Sequence, residues 1–599
     1  MKDETTKPSD NPENADPHQP PTADLLKDWT PEIAGVKAVD DPEDPDTDRA
    51  VADIVAHESD EILAIEDMVT EAENEPDEEP SRWARIRHWL GSKQGRWTIG
   101  VTIAAMLVVS ILTPAIRYFV LNTAGVRVKS SATVIDLTTQ QPLKNTVVKV
   151  GSAEGTTDAE GNVTLSGVRL GKQRLVIDKL AFSSVDKSVT VGLGSNPLGT
   201  FELTPTGVRY EFHVSKFLSG EKLGKVELAS GAADARTNDE GVAVLTVDQP
   251  ADTFVVRLSG SGLRTDDVKI DAATKKPITV SLVSERKHAY ASKRSGKLDL
   301  YSNYADSKGD KLILAGTGSE RETDMTIAPH PTKNTVAYVS TRSGRTNDDG
   351  YLLSSLLLVD TNSGENTHIV TTERINVIGW QSDRLIYLQI TQGPSATKDE
   401  RYKLMSYDPE TNNSQQLASA NYMNDAQIFA GQVYFAPSGA LQPEKAKLYR
   451  VNVDGSNQQV VIDQEIWRII RTDIDAIVLS VSDQTWYEYR SGQAKPTSRP
   501  GAPTDMQSRR YTTSPNGGLS AWVDERDGKG TLLIYNHSTK TEKSIAATAG
   551  LNYPLQWIDD DALIYRLSDD NGTADYVVSI KSGQTQKLSD VTAASQTTQ

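Results

Sequence analysis

YTTSPNGGLSAWVDERDGKGTLLIYNHSTKTEKSI, residues 511–545, is the stretch on which the fold turns. Its apolar runs are short and rich in β-branched and aromatic residues. Asn-Gly, Asp-Gly and Asn-containing turns separate them. Such runs read as antiparallel strands joined by tight hairpins, because Gly and Asn accept the positive φ those turns demand. The unit recurs as KLDLYSNYADSKGDKLIL (297–314), SLLLVDTNSGENTHIV (355–370), YKLMSYDPETNNSQQL (402–417), KLYRVNVDGSNQQVVI (447–462), TWYEYRSGQAK (485–495) and YVVSIKSGQTQKL (576–588). Turns near Asp360, Asp408, Asp454, Asn536 and Lys581 fall about 45 residues apart, with a weaker one at Arg490, which is the length of a four-stranded propeller blade. A solenoid would repeat at a shorter period. Seven second-to-fourth-strand units are visible but only six inner strands. A seven-bladed propeller is therefore expected over 286–590, with six blades as the alternative.

Upstream the pattern stays β but changes character. Residues 122–206 hold VRVKSSATVID, NTVVKVGSAEGTTDAEGNVTLSGV and GKQRLVIDKLAF, with period-two runs between Gly and Asp turns. Short strands at this spacing indicate a small β-sandwich. Residues 207–285 read as a second, divergent copy, in which Thr237, Asn238, Asp239, Glu240 and Gly241 repeat the turn of the first.

Two resemblances follow from these residues. Pro142 and Leu143 after the first strand, Thr157, Asp158 and Gly161 in the central turn, and Gly171 before the next strand make the first sandwich resemble carboxypeptidase regulatory-like domains. That resemblance implies a seven-stranded, prealbumin-like sandwich used as a stalk, spacer or adhesive module. Residues 288–590 resemble the TolB-type propeller. HAYASKRSGKLDLYS matches its second and third blade strands. The turn beginning at Ser514 matches its Ser-Pro-Asp-Gly turn with Asn516 in the Asp position, and IAPHPTKNTVAYVSTRSG carries His330 where the serine stands. The likeness implies a fold and no activity.

The N-terminal third has another composition. TIGVTIAAMLVVSILTPAI, residues 98–116, carries no charge between Arg96 and Arg117, and about 20 such residues suffice to cross a bilayer. A transmembrane helix is expected over 98–121. The collar 82–97 sets basic residues among tryptophans, with Arg82, Trp83, Arg85, Arg87, Trp89, Lys93, Arg96 and Trp97 placed to sit at a membrane interface. The heavier basic side is retained inside, so the expected topology is single-pass in the cell membrane, N-terminus cytoplasmic and C-terminus extracellular. Nucleic-acid binding by this patch is not expected. Residues 1–81 hold about 26 acidic side chains against about 5 basic ones and read as a disordered cytoplasmic tail. A short helix over 49–74 could dock a cytoplasmic partner. The net charge of −19 therefore belongs to the tail. Residues 591–599 read as a disordered C-terminal tail.

Chemistry is sparse. There is no cysteine, which removes disulfides, thiol catalysis and thiolate metal sites, and fits a bacterial surface. No Gly-x-Ser-x-Gly elbow, paired-histidine zinc motif or phosphate-binding Gly-rich loop occurs. Asp569, Asp570, Asn571 and Asp575, and Asn347, Asp348 and Asp349, lack the spaced ligands and terminal Glu of a calcium loop and read as hairpin turns. Trp380, Trp467, Trp486, Trp522 and Trp557 read as blade-packing residues that could also line a ligand face. No catalytic, cofactor-binding or metal residue is expected. The expected function is non-enzymatic display of the propeller on β-sandwich spacers, for binding an extracellular protein, peptide or glycan. The alternatives are an envelope enzyme with its site in the propeller funnel and a transmembrane sensor signalling through the acidic tail. A funnel lined by paired carboxylates or clustered histidines would favour the enzyme, and one lined by Ser, Thr and Asn would not.

Overall fold

The computed structural model describes residues 97, 101, 102, 105, 113–393, 400–481, 484–570 and 572–592. The acidic tail with its 49–74 segment, the collar residues 82–96 and the residues beyond 592 lie outside that set. Trp97 is helical and exposed.

The expected membrane-crossing helix over 98–121 is corrected by the structure. Among the described residues no helix is long and apolar enough to cross a membrane. The helix α1 spans Pro114–Thr123, 10 residues. At 1.5 Å per residue this is about 15 Å, half of a hydrocarbon core of about 30 Å. Its bounds have physical causes. Thr113 is extended (φ −90°, ψ 111°) and Pro114 opens the helix, where its missing N–H is no loss. At the far end Gly125 turns the chain at φ 80°. Asn122 bonds both the N–H and the carbonyl of Leu170 (2.9 and 3.0 Å), which ties α1 to the first sandwich.

Each sandwich is two packed sheets. In the first, Val128–Asp136 lies between Asn162–Val168 and Asn196–Leu203, pairing parallel with the latter. The facing sheet runs Ala153–Thr156, Val147–Val150, Gly171–Asp178, Val185–Val191. Alternate residues of each strand point inward, so Val134, Val148, Leu165, Leu175, Ile177 and Leu203 form one closed core. The second sandwich repeats the same two strand orders, around Phe212, Leu228, Leu245, Val256 and Leu282.

The central turn shows why the copies share their motif. Thr157 accepts from the N–H of Thr146 and donates to the Leu143 carbonyl, and Thr237 does the same with Val226 and Leu223. The side-chain oxygen of Asp158 gathers the N–H groups of Glu160 and Asn162, and Asn238 those of Glu240 and Val242. Gly161 and Gly241 have φ of 74° and 71°, and a Cβ there would overlap the carbonyl oxygens of Val134 and Val214.

Residues 288–591 form seven sheets, six of four strands and a first one of three. The six innermost strands are Thr326–Pro329, Arg374–Gln381, Met423–Phe429, Ile466–Arg471, Thr512–Thr513 and Leu551–Trp557, in blades 2 to 7. Blade 1 begins with His288–Ser292, which pairs outward with Asp299–Asn303. Because His288–Ser292 occupies the position of a second strand, blade 1 has no inner strand among the described residues. In an antiparallel meander, first-to-second and third-to-fourth turns share one face, and the remaining connections share the other.

The second sandwich meets the first of those faces. Lys216 pairs with Asp559 in the inner turn of blade 7 (2.7 Å), and Ser582 donates to the Leu218 carbonyl. Arg264 makes two hydrogen bonds to Asp306 of blade 1 (both 2.8 Å) while also held by Asp266. The two sandwiches are joined in the same style, with buried Lys179 on Asp234 (3.1 Å) and Arg236 on Glu160 (2.8 Å).

Candidate functional site

The inner strands of blades 2 to 7 enclose a cavity of about 570 Å³ on the propeller axis. Residues from all six blades line it: Thr326 to Pro329, Val377 to Ser382, Gln427 to Gly431, Arg471, Ser508 to Thr513, and Pro554 with Leu555. Three arginines, Arg471, Arg509 and Arg510, line it together with apolar and aromatic side chains such as Ile327, Val377, Trp380 and Phe429 and with hydroxyl and amide ones such as Thr326, Ser382 and Gln427. Among the described lining residues there is no carboxylate and no histidine.

The ring is fastened blade by blade. Trp380 donates its indole N–H to the Ala328 carbonyl (3.0 Å), joining blades 3 and 2. Trp557 does the same to Thr512 (3.2 Å), joining blades 7 and 6. Buried Asp425 accepts from the Ile469 N–H (2.7 Å), and Asn424 donates to the Ile466 carbonyl, joining blades 4 and 5. Burial pushes the Asp425 carboxyl up to about 6. Ser508 accepts from the Arg471 N–H and donates to the Ile469 carbonyl, and the Arg509 N–H reaches the Arg471 carbonyl (2.9 Å), joining blades 5 and 6.

Among the described residues blade 1 has no inner strand, and Arg286 bridges the place next to it. Its guanidinium is buried and donates to the Trp557 carbonyl of blade 7 (2.6 Å) and to the Pro331 and His330 carbonyls of blade 2 (2.8 and 2.7 Å). Burial lowers its pKa to about 10, against the opposing field of Asp559, so it stays charged at neutral pH. Deeper in the same seam, His288 meets Asp575 (2.7 Å), and Arg566 grips that carboxylate through two nitrogens (2.8 and 3.0 Å). Burial opposes ionisation of Asp575, but the hydrogen bonds from His288 and Arg566 outweigh it and hold its pKa below the usual range.

The arginines differ in their partners. Arg509 has an ion pair with Asp524 (3.2 Å) and donates to the Thr472 carbonyl. The Arg471 guanidinium lies over Tyr511 (4.6 Å to the ring centre) and donates to the Ile474 carbonyl at 3.4 Å. Its Nε has no hydrogen-bond partner. Arg510 lies over the Tyr553 ring (4.6 Å). Burial lowers the pKa of Arg471 and of Arg510.

The tryptophans singled out in the sequence divide. Trp380 lines the cavity, Trp522 and Trp557 are buried between blades, and Trp486 is half-buried. Trp467 is 55 % exposed, so it is no blade-packing residue. Asp575 belongs to the buried seam, Asn347 caps its own turn by accepting from the Tyr351 N–H, and Asn571 is outside the described residues. Among the described residues no group of His, Asp or Glu side chains is arranged to hold a metal ion. Arg286 and the three channel arginines escaped the sequence reading. The adjacent Arg509-Arg510 pair just before an inner strand was the visible signal.

Fold and channel together define a β-propeller protein carried on two β-sandwich domains. No family model and no curated protein matches the chain. Among solved structures it is similar to TolB from Acinetobacter baumannii, at 14% identity over 49% of this chain and 75% of that one, with a TM-score of 0.27. It is similar also to the β-propeller domain of the Trilobed protease from Pyrococcus furiosus, at 11% identity over 58% and 95%, TM-score 0.32. An oligogalacturonate lyase in complex with manganese matches at 14% identity over 49% and 85%, TM-score 0.32. The propeller assignment itself rests on the seven sheets and their shared axis.

Proposed function

We propose that this chain is a non-enzymatic binding protein in which two regulatory-like β-sandwiches act as a spacer and the propeller channel receives a protein, peptide or glycan segment. The observation that carries this reading is the axial cavity. At about 570 Å³ it falls within the size of ligand sites, and six different blades converge on it. The make-up of its described lining, apolar and aromatic side chains with a few hydroxyls, amides and arginines, supports recognition of a ligand. The spacer role is supported by the ion-paired junctions that join sandwich to sandwich and sandwich to propeller.

The test is a peptide and glycan array probed with the full chain, repeated with Gln427→Trp, which fills the channel from the inner strand of blade 4. A ligand that raises the melting temperature of the native chain and is lost in the filled variant is the expected result. Equal binding by both proteins, or no ligand on either array, overturns the reading.

A further inference from the structure

Resting on the channel as the binding site, we infer that it recognises an oxyanion, a carboxylate or phosphate group of its ligand, through Arg471 with Arg509 and Arg510. Three observations carry this. The first is charge: three guanidiniums line one cavity whose described lining holds no carboxylate, with Asp524 paired to Arg509 and Asp473 acting on it from nearby. The second is the state of Arg471. Its guanidinium lies over the Tyr511 ring, 4.6 Å from the ring centre, and its buried Nε donor has no partner among the described residues. A buried donor without a partner costs roughly 1–3 kcal/mol, and an anion seated against it recovers that cost. The Arg471 Nε is unused and its guanidinium bond to the Ile474 carbonyl is long at 3.4 Å, so an oxyanion can be gripped by the planar fork, the geometry at which Arg exceeds Lys. The third is rigidity. The Ser508 hydroxyl and the Arg509 N–H are bonded to the backbone of the inner strand of blade 5, so the chain bearing the arginines is positioned before a ligand arrives.

The chain has no native cysteine, so Gln427→Cys on the channel wall gives a single labelling site for an environment-sensitive dye. The full chain carrying that label is titrated with inorganic phosphate, with citrate and with neutral maltotriose. We expect phosphate or citrate to change the emission, whichever responds naming the source of the oxyanion. Affinity should fall at least tenfold in Arg471→Gln and should weaken as salt is raised. Arg471→Lys keeps the charge without the planar fork and should fall between the two. Should Arg471→Gln fail to fold, Arg510→Gln with the salt titration carries the same test. Arg526→Ala, an exposed pair with Glu542 away from the channel, should bind like the parent. An equal response in parent and Arg471→Gln overturns the inference. So does a response to maltotriose alone, which leaves the channel itself standing as the site. Silence of the label toward these probes and toward every array ligand removes both readings.

Discussion

His330 and Asp425 show how single side chains tie the blades and what acidity does to them. In blade 6 the hydroxyl of Ser514 fastens the inner turn by accepting from the Leu519 N–H (3.0 Å). In blade 2 the His330 ring does this work, Nδ1 accepting from the N–H groups of Thr332 and Lys333 (3.1 and 3.0 Å). A proton on Nδ1 would abolish both bonds. Burial, opposed by Asp383, lowers the His330 pKa to about 4. The unfolded chain then binds the extra proton first, so the stability His330 contributes is full above pH of about 6.5 and is lost as pH falls toward 4. Asp425 has the opposite sign. Its pKa is raised to about 6, so the folded chain holds the extra proton and stability is lost as pH rises from about 4 to 6. Urea midpoints measured at pH 4, 5, 6 and 7 should separate them. His330→Ser should remove the acid-side loss, and Asp425→Asn should remove the loss on raising pH. Unchanged slopes in both variants would refute these assignments.

At the level of elements, the seam where blade 1 sits between blades 7 and 2 is the distinctive feature. Among the described residues the ring has six inner strands, and Arg286 joins blades 7 and 2 with three hydrogen bonds to backbone carbonyls. Removing it would leave buried acceptors unpaired, each costing roughly 1–3 kcal/mol. Arg286→Met should therefore destabilise the propeller by about 3 kcal/mol or more. Amide exchange should rise first in blades 1 and 7, which meet along this seam, while blades 3 to 5 stay protected. Uniform exchange across all seven blades would show that the seam is not the weak point. The start of blade 1 in the direction of a second strand has a topological cause. The chain arrives from the second sandwich on the face that bears the inner turns. A strand leaving that face runs in the direction of a second strand, so an inner strand would need an additional crossing of the propeller.

At the scale of the molecule, ion pairs flank a small apolar contact at the junction of the second sandwich with the propeller, where Phe217 and Leu218 pack against the cluster of Ala305, Ile558 and Leu588. Arg264 lies between Asp266 and Asp306 and also over the Tyr304 ring, largely shielded from water. Truncating it leaves two carboxylates facing each other. Arg264→Ala should loosen the sandwich against the propeller and leave the propeller's own melting transition in place. Paired spin labels at introduced cysteines, one in each domain, should show a broadened distance distribution. An unbroadened distribution would mean that Lys216–Asp559 and its neighbours hold the junction without Arg264.

The local order of this protein was legible in the sequence because strands and turns are short-range phenomena. A period of two marks a strand with one buried face, as the burial of Val128–Asp136 shows. A Gly whose Cβ would overlap a carbonyl marks a turn, as Gly161 and Gly241 do. The excess of outer-strand units over inner strands was visible in the same way. Length and lack of charge could not decide that the helix near residue 114 begins at a proline and ends tied to Leu170, because that depends on a contact 48 residues away. Nor could the pattern reveal that Arg471 joins Arg509 and Arg510 on one wall, or that Arg286 lies between Trp557 and His330. Those groupings come from closing strands far apart in the chain around a common axis, and only the folded ring brings their side chains within reach of one another.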